Sequence, residues 1–320
     1  MRIASLLPSA TEIVYTLGLG DELVAVSHDC DYPPDVANKK RLTAIDIDAS
    51  HSSSRELDDW VAKKLHKGIS IYHVDQHELK KANPQLILTQ ELCEVCAPSF
   101  NDVESACKIL DAKPKIISLE PTSLNQIMEN VLTVGRETGR LREANEVASS
   151  MRKRIMRIQN AAGQLKDRPR VFCMEWLDPV FVAGHWVPEM VQIAGGTDEL
   201  GRLHQPSLRI DWNRALDYDP DIIVLMPCGF DLQRTVAESK LAKYDDLEKL
   251  RAMKNGKVFA VNGSAYFNRP GPRIVDGLEI MAEILHPNLF RGLAPSDSYI
   301  RLALDNRRII GAANQSVLRN

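Results

Sequence analysis

The stretch 141–165, LREANEVASSMRKRIMRIQNAAGQL, decides how this chain is divided, because it is the longest unbroken helical pattern in the sequence. Small and apolar residues recur in it at steps of three and four, with charged residues between them. They are Leu141, Ala144, Val147, Ala148, Met151, Ile155 and Ile158. A helix of this size is about 35 Å long, roughly the width of a small domain. Strand and helix patterns alternate on both sides, so we predict one long helix connecting two lobes.

The alternation of strands and helices in both halves predicts an α/β fold with mainly parallel sheets. A chain of 320 residues is long enough for two lobes joined by this single backbone helix, with a ligand cleft between the lobes. The pattern leaves open whether the C-terminal extension packs as a strap or frays. The predicted divisions are an N-terminal lobe over 1–121, connecting helices over 122–167, a C-terminal lobe over 168–288 and a C-terminal extension over 289–320.

The composition is that of an ordinary globular protein, with 44% hydrophobic residues, 26% charged residues and a net charge of −3. This balance provides no basic excess for a nucleic-acid partner. The sequence contains no apolar run of about 18 residues, the length that a transmembrane helix requires, so we predict no membrane-spanning segment. The N-terminus does not have the pattern of a secretory signal, which predicts a cytoplasmic location, or a periplasmic or extracellular one if a leader was trimmed.

A helix start is predicted directly after the first strand, which covers residues 2–7. The sequence SATE follows at residues 9–12. A serine with a glutamate three residues later is the pattern of a capping box, in which the two side chains bind free backbone amides. We therefore predict that Ser9 and Glu12 cap a helix over 13–17.

The cysteines form the first set of candidate site residues. Cys93 and Cys96 have the CxxC spacing of a metal-binding or redox pair. Cys30 and Cys228 follow two other predicted strands, and His28 lies two residues before Cys30. Together these groups suit a tetrahedral zinc site or an iron–sulfur cluster if their loops converge. The alternative is a set of packed thiols that bind no metal.

Aromatic, acidic and basic side chains form the second set, at predicted strand exits and helix starts. Large rings at such positions can stack on a flat macrocycle. Arginines can bind carboxylates or phosphates, acidic groups can pair with cationic groups, and a histidine can be an axial ligand of a metal centre. The alternative to ligand binding is that each of these side chains packs inside the protein or is exposed to solvent. The candidate ligand-binding residues are Glu91, Glu175, Trp176, His185, Trp186, Tyr266, Phe267, Arg269 and Arg273.

Several motifs resemble those of the vitamin B12 and iron-siderophore binding proteins of ABC importers, which are class III periplasmic-binding-protein-like receptors with a helical backbone. The resemblance covers about residues 1–288. The general motifs are IASLLPSATE (3–12), LGLG (17–20), QE (90–91) and DGLE (276–279). Four further motifs resemble a subgroup usually labelled cobalamin-binding proteins, namely SHDCDYP (27–33), LCEVCAPS (92–99), VFVAGHWVPEM (180–190) and RPGPRIVDGLEI (269–280).

The resemblance implies a binding protein rather than an enzyme, with a corrinoid such as cobalamin, or a related metal chelate, between its lobes. It implies aromatic side chains against the ring, polar contacts to the amide rim, and an ABC permease as partner if a secreted form exists. The cysteines are not needed for corrinoid binding. A second hypothesis is therefore a cytosolic metalloprotein or redox enzyme, with zinc or an iron–sulfur cluster held by Cys30, Cys93 and Cys96, with or without Cys228.

Overall fold

The computed structural model describes residues 1–49, 52–67, 69–91, 100–110, 112–241, 243–305 and 308–312. Tertiary contacts divide the chain into two compact units. The first contains Met1–Pro121, Asn125–Ser150 and Pro270–Pro272, and the second contains the remaining segments. Each unit is an α/β structure, and the predicted fold class is confirmed. The predicted domain limits stay predictions, because each unit is assembled from segments that are not contiguous in sequence.

The first unit is built on a parallel sheet. Its strands are β1 (Ile3–Ser5), β2 (Leu23–Val26), β3 (Lys40–Arg41), β4 (Thr43–Ile45), β5 (Tyr72–Val74), β6 (Leu86–Thr89) and β7 (Lys115–Ser118). Five of them form the sheet in the order β3-β2-β1-β6-β7, and β4 and β5 form a separate antiparallel pair. Buried apolar residues such as Ala4, Ala25 and Ile87 make up its core. Parallel strands buried on both faces require such continuous apolar runs.

Helices of the first half include the long connector. They are α1 (Pro8–Thr16), α2 (Ser54–His66), α3 (Gln76–Ala82), α4 (Phe100–Cys107), α5 (Leu124–Glu137) and α6 (Leu141–Ala162), with a 3₁₀ helix over Pro34–Asn38. Helix α6 begins where the sequence predicts and ends before Gly163 rather than at Leu165. Glycine is a poor helix former, which accounts for the earlier end. The boundary between the two units falls inside α6, after Ser150.

The capping-box prediction at Ser9 is wrong. Helix α1 begins at Pro8, and the residue before it, Leu7, caps the helix without a side-chain hydrogen bond. Proline suits the first helical position because its fixed φ angle is already helical and it has no amide hydrogen to satisfy. Ser9 and Glu12 are therefore buried inside the helix. A true capping box occurs at the start of α2, between Ser53 and Glu56.

The second unit contains a mixed sheet. Its strands are β8 (Val171–Trp176), β9 (Phe181–Val182), β10 (Leu208–Arg209), β11 (Ile222–Leu225), β12 (Val258–Val261), β13 (Tyr299–Asp305) and β14 (Arg308–Ala312). The order is β10-β9-β8-β11-β12-β13-β14, with β8, β11 and β12 parallel and the outer strands antiparallel. Only residues 177–180 connect β8 to β9, and a connection this short permits antiparallel pairing alone. Strands β13 and β14 show that part of the 289–320 extension completes this sheet.

Helices of the second unit surround its sheet. They are α7 (Val187–Ile193), α8 (Trp212–Tyr218), α9 (Leu232–Ser239), α10 (Arg251–Lys254), α11 (Gly263–Tyr266), α12 (Ile274–Leu285) and α13 (Pro287–Phe290), with a 3₁₀ helix over Leu247–Lys249. Phe172, Met174 and Leu225 lie in the buried core beneath them. Helix α12 is apolar on most of its surface, and most of its residues are buried.

Ion pairs join α6 to α12 within the second unit. Arg154 Nε donates to Glu279 Oε1 at 2.9 Å, and its Nη2 donates to Glu279 Oε2 and to Asp276 Oδ1, each at 2.5 Å. The hydrogen bonds to Glu279 raise the pKa of Arg154. Glu279 is only 8% exposed, so its charge depends on this guanidinium for compensation. The second half of α6 is thereby fixed to the second unit.

We expect Arg154→Ala to lower the free energy of unfolding by about 2 kcal/mol, since it leaves the charge of Glu279 without its partner in a nearly buried site. Urea denaturation followed by circular dichroism measures the effect. Arg157→Ala is the matched control, because Arg157 is an exposed arginine of the same helix. Equal stability of the two variants would contradict the role given to this ion pair.

Candidate functional site

The ends of β8, β11 and β12 bring three loops together at one edge of the second sheet. Cys228 N donates to Glu175 O at 3.1 Å, which links the loop after β11 to the end of β8. Ser264 N donates to Phe230 O at 3.0 Å, which links the residues after β12 to the same loop. We call this region, made of Glu175, Trp176, Cys228, Phe230 and Ser264, the carboxyl edge. In open α/β sheets ligands bind outside the carboxyl ends of the parallel strands.

Trp176 is the large ring of the carboxyl edge that remains half-buried. It contacts Phe230 edge to face, with ring centroids 5.3 Å apart. Phe230 is buried, and the guanidinium carbon of Arg234 lies 3.7 Å from its ring centroid. Burial lowers the pKa of Arg234. The arrangement fixes the indole from one side and is suited to hold a flat ligand against it.

Glu175 precedes this tryptophan in β8, and its carboxylate is held by two neutral donors. Ser207 Oγ donates to Glu175 Oε1 at 2.6 Å, and the backbone amide of Gly184 donates to the same carboxylate. Burial raises the pKa of Glu175. Among the described residues we find no ion pair that would neutralise its charge. The carboxyl edge therefore contains an oriented acceptor with an uncompensated charge when it is ionised.

The Gly184–His185 turn supports this carboxylate. A Cβ atom on Gly184 would lie 2.6 Å from Ser207 N, so the close approach of the two chain segments requires glycine. His185 follows with a φ of 51°, and its ring stacks on Trp186 with centroids 5.5 Å apart. Burial lowers the pKa of His185, which favours the neutral imidazole. Its Nε2 has no hydrogen-bond partner among the described residues. Its role as an axial ligand stays a prediction.

Two of the predicted stacking rings lie in the interior of the second unit. Trp186 is 6% exposed and Phe267 is 0% exposed. Trp186 Nε1 donates to Phe267 O at 2.8 Å. A buried indole generally needs a hydrogen-bond acceptor for its N–H group, and the carbonyl of Phe267 is that acceptor. Packing therefore accounts for both rings.

The remaining candidates of the second unit lie close together in sequence, from the last residue of α11 to the residue before α12. Tyr266, Arg269 and Arg273 are all half-buried. The guanidinium carbon of Arg273 lies 5.7 Å from the Tyr266 ring centroid, within the range of a cation–π contact. Their predicted role in ligand binding stays a prediction.

In the first unit, Cys30 lies in a buried network of hydroxyl groups. Its Sγ is 3.1 Å from Thr11 Oγ1 and 3.2 Å from Ser27 Oγ, and the residue is 1% exposed. Thr11 Oγ1 in turn donates to Ser5 Oγ at 2.8 Å. These contacts satisfy the thiol without a metal. The network holds together the chain segments that follow β1 and β2.

The other metal candidates do not assemble into a site within the described part of the chain. His28 Nδ1 lies 2.7 Å from Thr43 Oγ1, and Cys228 is partly exposed at the carboxyl edge. Cys93 and Cys96 lie outside the described residues. Among the residues that are described, no group of three or more histidines, cysteines and acidic residues is placed to hold a metal ion. The zinc or iron–sulfur alternative therefore has no support from the structure.

Glu91 is exposed and follows the end of β6 in the first unit. Sequence reasoning did not identify Ser207, Phe230 or Arg234 as parts of a site. Phe230 carries one usable signal, since it follows the apolar strand β11 closely. Ser207 and Arg234 carry none, because their places depend on the packing of segments that are distant in sequence.

A model of the periplasmic binding protein family matches residues 3–265. The chain is 25% identical over 287 residues to a vitamin B12-binding protein of Vibrio cholerae serotype O1, covering 87% of this chain and 86% of that protein. It is 25% identical over 298 residues to an uncharacterized ABC transporter substrate-binding lipoprotein of Bacillus subtilis, covering 91% of this chain and 81% of that one.

Solved structures show the same fold. A periplasmic heme-binding protein from Pseudomonas aeruginosa superposes with a TM-score of 0.69 at 16% identity, covering 90% of this chain and 93% of that one. The fold and the family match agree, and together they define the class of protein. This chain belongs to the periplasmic binding protein family.

Two further findings bear on location. No helix in the described ranges is both long enough and apolar enough to cross a membrane. The predicted cytoplasmic location is not supported by the comparisons, since one relative is named as a lipoprotein and the similar solved structure is described as periplasmic.

The burial of the two tryptophans predicts different effects on stability. Trp186→Phe removes the hydrogen bond to Phe267 O in the interior, and we expect a loss of about 2 kcal/mol in the free energy of unfolding. Trp176→Phe keeps an aromatic ring at a half-buried position, and we expect a loss under about 1 kcal/mol. Urea denaturation compares the two. A larger loss for Trp176→Phe would contradict the assignment of Trp186 to the core.

Proposed function

We propose that this protein binds a corrinoid, or a closely related flat metal chelate, as its cargo, and that the carboxyl edge of the second unit supplies part of the binding surface. The observation that carries the proposal is the half-buried ring of Trp176, which packs edge to face on Phe230 at the carboxyl edge. The oriented carboxylate of Glu175, the preceding residue, adds a polar group to the same edge. A flat apolar macrocycle with a polar rim needs such a combination of a ring face and nearby polar groups.

The relatives support the choice of cargo. The Vibrio cholerae relative, similar over most of both chains, is named for vitamin B12. A relative in Halobacterium salinarum, 24% identical over 291 residues, is named a cobalamin-binding protein. These names favour a corrinoid over other chelates within the family.

The same comparisons support a transport role. The Bacillus subtilis relative is named as the substrate-binding lipoprotein of an ABC transporter. We propose that this chain likewise delivers its cargo to an ABC permease. The metal of such a chelate arrives inside the ligand, so the protein does not have to supply a complete set of metal ligands.

Titration of the purified protein with hydroxocobalamin tests the proposal. We expect saturable binding by calorimetry and a shift of the visible spectrum, with a dissociation constant well below about 100 μM. The absence of binding at that concentration would contradict the proposed function.

Removal of the indole tests its part in the surface. We expect Trp176→Ala to weaken hydroxocobalamin binding roughly tenfold, because it removes both stacking and buried apolar area. Trp60→Ala is the control, since Trp60 is a half-buried tryptophan on α2 of the first unit. If both variants bind as tightly as the wild type, Trp176 is not part of the binding surface.

A further inference from the structure

Glu175 is an unusual group to find beside a surface for a flat chelate. Its carboxylate is fixed in direction, because Ser207 Oγ and the amide of Gly184 both donate to it. Both donors are neutral, and the described residues provide no ion pair to it. When ionised, it keeps its full negative charge at the carboxyl edge, one residue before Trp176 in β8.

The charge of the ligand rim determines how such a group acts. A rim of carboxamides offers N–H donors, which an ionised carboxylate accepts in charge-assisted hydrogen bonds. A rim with free carboxylates brings like charges together, which is unfavourable in a partly buried site. The two kinds of rim can surround rings of similar size and flatness, so shape and stacking alone discriminate poorly between them.

We infer that Glu175 is a specificity-determining residue that selects flat chelates with amide rims and rejects those with free carboxylates. The inference rests on the proposed function and goes beyond it, since it assigns the discrimination to one side chain. The selection has two parts, since Glu175 repels a rim with free carboxylates and makes favourable contacts with an amide rim. Selective sites commonly combine the two.

Arg234 is the group nearby that would act in the opposite direction. Its guanidinium lies over the ring of Phe230, and the acidic groups of Asp231 and Glu238 on the same helix region offset its charge. The guanidinium face is therefore occupied by the ring. Glu175 has no comparable compensation among the described residues, so its charge dominates the selection.

Two iron porphyrins that differ only in their rim provide the test. Hemin has two free propionates, and hemin dimethyl ester has the same ring without those charges. We compare both with hydroxocobalamin, by calorimetry and absorbance at pH 8, on the full-length wild type, Glu175→Gln and Glu199→Gln. Glu199 is an exposed glutamate of the same unit, and its variant removes the same charge elsewhere.

The expected result is a preference of the wild type for the ester over the free acid, reduced about tenfold in Glu175→Gln and unchanged in Glu199→Gln. We expect Glu175→Gln to weaken hydroxocobalamin binding about tenfold while hemin binding strengthens, because a neutral carbonyl replaces the charge-assisted acceptor of the rim amides and no longer repels carboxylates. If the wild type binds neither porphyrin, the inference requires that Glu175→Gln gain binding of hemin.

An unchanged preference between ester and free acid in Glu175→Gln overturns the inference, even when hydroxocobalamin binds. So does an equal loss of all probes accompanied by a lower melting temperature, which assigns Glu175 a purely structural role. Failure of the proposed function is distinct from either result. It appears as no binding of hydroxocobalamin by the wild type, whatever the porphyrins do.

Discussion

Parallel pairing of β8, β11 and β12 is the constraint on which the candidate site depends. Because neighbouring strands run in the same direction, the loops that follow them must leave from one edge of the sheet. Trp176 meets Phe230 there, and Cys228 bonds the backbone of Glu175, although both lie far from β8 in sequence. The antiparallel strands on both sides widen the sheet without interrupting this edge.

A second constraint acts on the connector. Helix α6 carries residues of both units, and Arg154 fixes its second half to α12 through Asp276 and Glu279. The geometry is bidentate on Glu279, which gives direction as well as energy. Because Glu279 is nearly buried, loss of the arginine is costly, whereas an exposed ion pair on the same helix would contribute little. The second half of the helix is therefore fixed to the second unit.

Much of the fold was predictable because it depends on local patterns. The spacing of apolar residues in α6 predicts where the helix begins, and apolar runs predict the central strands of both sheets. Burial was harder to predict, since Trp186 and Trp176 have similar surroundings in sequence, yet only the second remains half-buried. The start of α1 was misjudged because a proline outweighed the capping pattern at Ser9. The contact of Ser207 with Glu175 depends on a turn of the chain that no local pattern reveals.

The site thus combines a stacking ring, an oriented carboxylate and a fold whose relatives are named for vitamin B12. A crystal structure of the protein with hydroxocobalamin tests this account most directly. It predicts the corrin ring against Trp176, with a carboxamide of the rim within hydrogen-bond distance of Glu175. Electron density for the corrinoid at a surface that contacts neither residue, or its absence from crystals grown with saturating ligand, would contradict it.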